Sequence, residues 1–389
     1  MKPKSVNLFL SEGFVYFSVL YLAGIHIPPF TSFGLTPSPI YFWFIVGSFS
    51  YMLVKLYMPF IKRDCLFFLT SLLILYLVLF QPLLKAQLNA LLHVIISLVF
   101  LLVTYDLFQN VHVNALITLA NNLINMTISL VLIETIVRIR NFSFSQFFFS
   151  LFSNQFYSYK SDSFMFGDSN SVAFMIITMM LFLYYFSKLV NAKYKFRLSI
   201  LLVLLFLTFS RAAYLGLIIV FIINVVRKVF FRRSQQLLSL FDFLVFIVLA
   251  TFLTIPFVFS NVINEYFFLA KDASFQTKLL IGEGAVNYFR NANIFTKLFG
   301  IGLGNSTEYI GIWAHNFVIT YLLETGIIGL SIILCIYYLI NKITQRKFIL
   351  FFYMIFIVGF SFVPLSIPYF YVCLILLHYI DEKLGRNPD

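Results

Sequence analysis

Charge is what this sequence has least of. Asp, Glu, Lys and Arg make up 11% of its 389 residues, where a soluble domain carries about 25%, so a water-soluble globular fold is excluded. Cysteine is scarce as well. Cys65, Cys335 and Cys373 are an odd number, lack a CxxC spacing and sit inside apolar runs. That excludes a disulfide framework and a zinc site, and reads as buried apolar thiols. GIGLGN, from Gly300 to Asn305, lacks both the G-x-G-x-x-G spacing and a βαβ context, so it reads as a flexible turn and not as a nucleotide loop. His26, His93, His112 and His378 show no metal-ligand spacing. The first apolar run is interrupted by Glu12 and has no small-residue cleavage site, which fits a retained first helix.

What the sequence has is apolar length. Hydrophobic residues are 61% of the chain, aromatics 20% and mean hydropathy is +0.95. The expectation is an all-α polytopic membrane protein, residues 1–389 forming one membrane domain, with about twelve transmembrane helices. Their expected extents are Leu8–Ile27, Ile40–Phe60, Cys65–Leu84, Leu88–Leu107, Ala115–Val137, Ser171–Phe186, Leu198–Phe209, Ala212–Val226, Leu238–Phe259, Ala314–Ile340, Phe348–Phe362 and Ile367–Ile380.

A net charge of +12 would suggest nucleic acid in a soluble protein; in a membrane protein the question becomes which side each cation occupies. The basic breaks at Lys2 and Lys4, Lys62 and Arg63, Lys188 to Arg197, Arg227 to Arg233, Lys342 to Lys347, and Lys383 with Arg386 alternate correctly if both termini are cytoplasmic. The same alternation divides the apolar stretch Leu198 to Val226 into two short helices meeting at Ser210-Arg211. Each would be about 20 Å long, shorter than a hydrocarbon core of about 30 Å, so Arg211 is expected to line a recess open to the outside.

Two outer segments exceed simple connections: residues 139–170, with a Phe-rich stretch Asn141–Phe152 suited to the interface, and the large outer (periplasmic) loop 261–313 between the ninth and tenth helices. Arg140, Lys160, Lys271, Lys278, Arg290 and Lys297 lie in them, with Arg138 at the border of the first. Cations where the topology rule predicts depletion point to an anionic partner outside.

Arg211, in TFSRAAYLG, is the sharpest feature. A guanidinium at membrane depth either snorkels at a helix end or faces an anion in a cavity. The inferred turn is too short to reach far into water, which favours the second, and the guanidinium fork suits phosphate oxygens. His315-Asn316 opens the tenth helix in AHNFVITYLLETGIIG; imidazole is the side chain best matched to general-base work near neutral pH. Glu324 lies about two and a half turns further on, too far to touch His315. It either pairs with a buried base or arginine or fixes the helix. Gly167-Asp168-Ser169-Asn170 reads as a turn with an N-cap, compatible with a substrate contact.

TFSRAAYLG, then SFQTKLLIGEGAVNYF and FGIGLGN in the outer loop, then AHNFVITYLLETGIIG, resembles the O-antigen ligase/polymerase family of lipid-linked polysaccharide transferases. The His-Asn-x9-Gly-x-x-Gly pattern from His315 to Gly329 looks like that family's signature, and GDSNSVA is similar to its D-x-N-x-x-A element. The resemblance covers Gly167 to Gly329. It implies a GT-C-like helical fold in the bacterial inner (plasma) membrane, acting at the periplasmic face on an undecaprenyl-pyrophosphate-linked oligosaccharide, without cofactor or metal.

Carried over by motif, Arg211 matches the arginine that engages the pyrophosphate and His315 the base. Lys278 stands where the family has a loop arginine; it and Arg290 are the two candidates for a second phosphate ligand. Ser210, Asp168, Asn170, Asn316 and Glu324 become substrate or structural support. The implied partners are the lipid-linked glycan, membrane lipid and a chain-length regulator protein, with no nucleic acid. The departure at Lys278 favours a polymerase over a ligase that moves finished glycan to lipid A core. A flippase for an anionic lipid-linked glycan would share the helix count and basic cavity, but no inverted repeat is visible in the hydropathy.

Overall fold

The computed structural model describes residues 3–24, 65–140, 159, 163, 165, 169–230, 235–258, 273–311, 316–359 and 367–385. Among these every regular element is a helix and no strand occurs. In chain order they are α1 (Pro3–Gly24), α2 (Cys65–Phe80), α3 (Leu88–Gln109), α4 (Val113–Arg140), α5 (Ser169–Leu189), α6 (Lys195–Phe206), α7 (Arg211–Phe230), α8 (Gln235–Val258), α9 (Ala273–Asn291), α10 (Ile294–Phe299), α11 (Ser306–Ile310), α12 (Phe317–Ile343), α13 (Ile349–Val358) and α14 (Pro368–Leu384).

Five of them, α3, α4, α5, α7 and α12, are long and apolar enough to cross a membrane, and shorter apolar stretches lie in α1, α2, α8 and α13. The chain is a helical membrane-embedded protein. Sustained apolarity, with backbone groups satisfied inside each helix, is what a bilayer demands of its solutes. The helix expected over Ile40–Phe60 and the Phe-rich stretch Asn141–Phe152 lie outside the described residues.

Two compact units divide the chain: Met1–Arg63 with Leu92–Tyr214 and Leu365–Asp389, and Asp64–Leu91 with Leu215–Pro364. In the first, α14 is the hub, packed on α1, α4 and α5. Its side chains from Pro368 to Leu377 are all buried, as expected for a helix apolar on every face. Polar pins fix its ends: Tyr369 Oη and Thr127 Oγ1 lie 3.0 Å apart, and Lys383 Nζ donates to the carbonyls of Phe108 and Gln109 at 3.1 and 2.8 Å, capping the C-terminus of α3. In the second unit α12 is the hub, in contact with α2, α9, α10, α11 and α13.

The structure changes three expectations. Cys65 and Cys335 are exposed on their helices and only Cys373 is buried, because position on the helix face, which apolar neighbours do not reveal, decides burial. The two helices flanking Ser210 are unequal: α6 has 12 residues and α7 has 20, so at about 1.5 Å per residue α7 alone reaches about 30 Å. Within segment 261–313, residues 273–311 are largely helical, carrying α9, α10 and α11.

Candidate functional site

The α6–α7 break is made by one backbone angle. Phe209 has φ +52°, a left-handed conformation costly for an aromatic residue and incompatible with a continuing helix. Ending α6 releases carbonyls with no helical partner. The Leu207 carbonyl is taken by two donors: Arg138 Nη2 at 3.2 Å and Tyr159 Oη at 2.8 Å. Tyr159 also packs edge-on against the Phe209 ring at 5.4 Å. Thr208 Oγ1 accepts from Ser210 N at 3.3 Å.

Ser210 Oγ then donates to Asn170 Oδ1 at 2.7 Å, tying the turn to the first turn of α5. Ser210 is buried, and Arg211 follows at the start of α7 with its side chain exposed. The turn before Arg211 is thus fixed by hydrogen bonds on both sides of Phe209.

Arg138 was visible in the sequence only as one more outer cation. It is fully buried, as is Glu134 one turn earlier, 3.4 Å away. The guanidinium carbon lies 4.8 Å from the Tyr159 ring centroid, while Nε and Nη1 have no hydrogen-bond partner among the described residues. Burial pushes the Tyr159 phenol above its usual range, and the Arg138 charge opposes that rise. The Glu-x-x-x-Arg spacing was a signal for this pair; nothing local pointed to Tyr159.

In the second unit the loop Gly300–Asn305 and α12 interlock. Gly326, inside α12, has φ +67° and breaks the helix there. A Cβ on Gly326 would collide with the Leu298 carbonyl, and one on Gly300 (φ +84°) with the Glu324 carbonyl. The two glycines are therefore required by backbone-to-backbone approach. Ile301 N donates to Leu323 O at 2.9 Å and Gly302 N to Glu324 O at 3.1 Å. Gln81 spans the same contact, accepting from Leu303 N at 2.7 Å and donating to Glu324 O at 3.4 Å. Tyr76 Oη bridges the carbonyls of Phe299 and Thr325 at 2.9 and 2.8 Å.

GIGLGN is thus a braced loop, not a flexible turn. Of the two roles open to Glu324, the structure supports fixation: it is buried and accepts from Ser306 N at 3.4 Å at the start of α11. Gln81 and Tyr76 gave no signal, since single polar residues in an apolar run have no partner until the fold supplies one.

Asn316 is the N-cap of α12, its Oδ1 accepting from Val318 N and Ile319 N at 3.0 and 3.1 Å. It is buried, and its Nδ2 has no partner among the described residues. His315 and Asp168 lie outside the described residues, and for Lys278 only the backbone, in α9, is described. Arg290, in the last turn of α9, is exposed. Of the predicted set the structure therefore joins Ser210 with Asn170 in one unit, and in the other makes Asn316 a cap and Glu324 a brace. Comparison with family models, curated proteins and solved structures finds no match for this chain.

Proposed function

We propose that this protein is a polysaccharide polymerase, a glycosyltransferase that moves a growing glycan from undecaprenyl pyrophosphate onto the next lipid-linked repeat unit at the periplasmic face of the inner membrane. In this reading the chain crosses about twelve times in a GT-C-like arrangement with both termini cytoplasmic.

The observation that carries the reading is the exposed Arg211 directly after the turn locked by Phe209, Ser210–Asn170 and Arg138. A cation carried on a rigid turn needs less reorganisation when charge develops on a leaving group. An acceptor sugar hydroxyl attacks the anomeric carbon, a new glycosidic C–O bond forms, and the C–O bond to pyrophosphate breaks with its electron pair leaving on the lipid pyrophosphate. Arg211, with Lys278 or Arg290, stabilises that charge; His315 takes the hydroxyl proton. Attack opposite the leaving group inverts the anomeric configuration. The amide of Asn316, next to His315 in sequence and without a partner among the described residues, offers a donor to the sugar.

The test is purified protein in detergent with one synthetic undecaprenyl-pyrophosphate repeat unit, products resolved on a gel. A ladder is expected, reduced about 100- to 1,000-fold in Arg211→Ala and lost in His315→Ala. Transfer only after addition of lipid A core would make the protein a ligase. Movement of the lipid-linked glycan across vesicles without bond formation would make it a flippase.

A further inference from the structure

The α12–α13 connection contains a second built polar site, remote in sequence from the Arg211 turn and independent of the proposed activity. Lys342 from the last turn of α12 and Gln345 and Arg346 from the connection, with Gln236 and Ser239 from the first turns of α8, line an open recess of about 370 Å³. The lining carries two cations and no carboxylate. Arg346 Nη1 donates to Ser239 Oγ, joining the two walls. The neighbouring acid, Asp242, is committed elsewhere: it accepts from Arg227 at 2.8 and 3.2 Å and from Tyr353 Oη at 2.5 Å.

Backbone geometry shows that the turn is specified. Gln345 and Arg346 are consecutive residues with φ +53° and +61°, each unfavourable without glycine. The turn is held closed by Gln345 N to Lys342 O at 3.0 Å, Arg346 N to Asn341 O at 2.8 Å and Thr344 Oγ1 to Asn341 O at 3.1 Å. Basic residues at a helix end satisfy the topology rule without any such turn.

The helices supply the other half of an amphiphile site. Along α8, Leu240, Phe243, Leu244 and Ile247 are exposed at helical spacing from Gln236. On α12, exposed Leu334 and Tyr338 lead at four-residue steps to Lys342. Each apolar stripe runs along a helix and ends at a residue that lines the cationic recess.

We propose that this recess binds the phosphate of an anionic phospholipid, with Lys342 and Arg346 paired to the phosphate, Gln236, Ser239 and Gln345 hydrogen-bonded to the headgroup, and the acyl chains laid on the α8 and α12 stripes. Clusters of basic residues between membrane helices recognise phospholipid headgroups in this way.

Native mass spectrometry of the full chain released from vesicles of equal parts phosphatidylglycerol and phosphatidylcholine tests it. Retained phosphatidylglycerol in excess is expected, weakened about fivefold in Lys342→Gln and about thirtyfold in Lys342→Gln/Arg346→Gln. Lys193→Gln, an exposed cation elsewhere, should leave retention unchanged, and Lys342→Arg should keep it. Inorganic phosphate added in excess should not displace the lipid, because it lacks the chains. Equal retention of both lipids, full retention in the exposed single variant Lys342→Gln, equal loss in Lys193→Gln, or displacement by inorganic phosphate would each overturn the proposal. None of these readouts uses glycan transfer, so a failed ladder assay leaves them unaffected.

Discussion

Two interruptions of a helix, one at Phe209 and one at Gly326, solve the same problem in opposite ways. Between α6 and α7 the left-handed residue is an aromatic one, and side chains do the repair: Arg138 and Tyr159 take the released Leu207 carbonyl and Ser210 ties the turn to Asn170. Within α12 the left-handed residue is glycine, and backbone leads the repair, through Ile301 and Gly302 donating to the carbonyls of Leu323 and Glu324, with the Gln81 and Tyr76 side chains adding donors to the carbonyls of Glu324 and Thr325. The first arrangement leaves Arg211 exposed at a helix start; the second leaves Glu324 buried as a brace. A side-chain repair presents chemistry because the helix ends there. A backbone repair consolidates packing, because close approach leaves no room for a ligand.

The comparison breaks most readily at Gly326. Gly326→Ala adds left-handed strain and a collision with the Leu298 carbonyl, and should cost about 4 kcal/mol. Gly311→Ala, with φ +75° but open space around the new Cβ, should cost only about 1 kcal/mol. Thermal unfolding in detergent compares the two directly, and equal losses would mean that strain alone, not interlock, matters at Gly326.

At the other break, Arg138→Leu removes the Arg138 charge 3.4 Å from the buried Glu134 and one donor from the Leu207 carbonyl, a loss of about 3 kcal/mol. Glu134→Leu/Arg138→Leu should lose less than Arg138→Leu alone, since both charges of the pair are then removed together. A double variant that is worse than the single would show that the pair acts through Leu207 and not through charge compensation.

A smaller effect is expected at Tyr353→Phe, which removes one of the three hydrogen bonds to Asp242. Arg227 remains, so about 1.5 kcal/mol is lost, again read as a shift in thermal midpoint. The smallest effect on stability belongs to Arg211→Ala, whose side chain is exposed: the midpoint should move least of all while the ladder of products falls about 100- to 1,000-fold. If unfolding shifts as far as in Arg138→Leu, Arg211 belongs to the scaffold and the contrast between the two breaks fails.

Much of this molecule was legible before folding, and the exceptions share a cause. Scarce charge and sustained apolarity required membrane helices, and the alternation of basic breaks placed a division at Ser210-Arg211 where α6 and α7 separate. Asn316 ahead of an apolar run was readable as a helix start and is the cap of α12. The two unequal lengths of α6 and α7, the burial of Arg138, and the exposure of Cys65 and Cys335 were not readable. In an all-round apolar helix periodicity carries little information about which face is inside.

What the sequence determined by itself is therefore the class of solvent, the helical content and the position of its main polar interruptions, because these follow from transfer free energies and local backbone preferences. Only the tertiary structure decided that Arg138 is buried and Arg211 is not, that GIGLGN is braced by Gln81, Tyr76 and Glu324, and that Lys342 and Arg346 share a recess with Gln236 and Ser239. Those outcomes depend on partners up to about 250 residues away along the chain, which no local preference encodes.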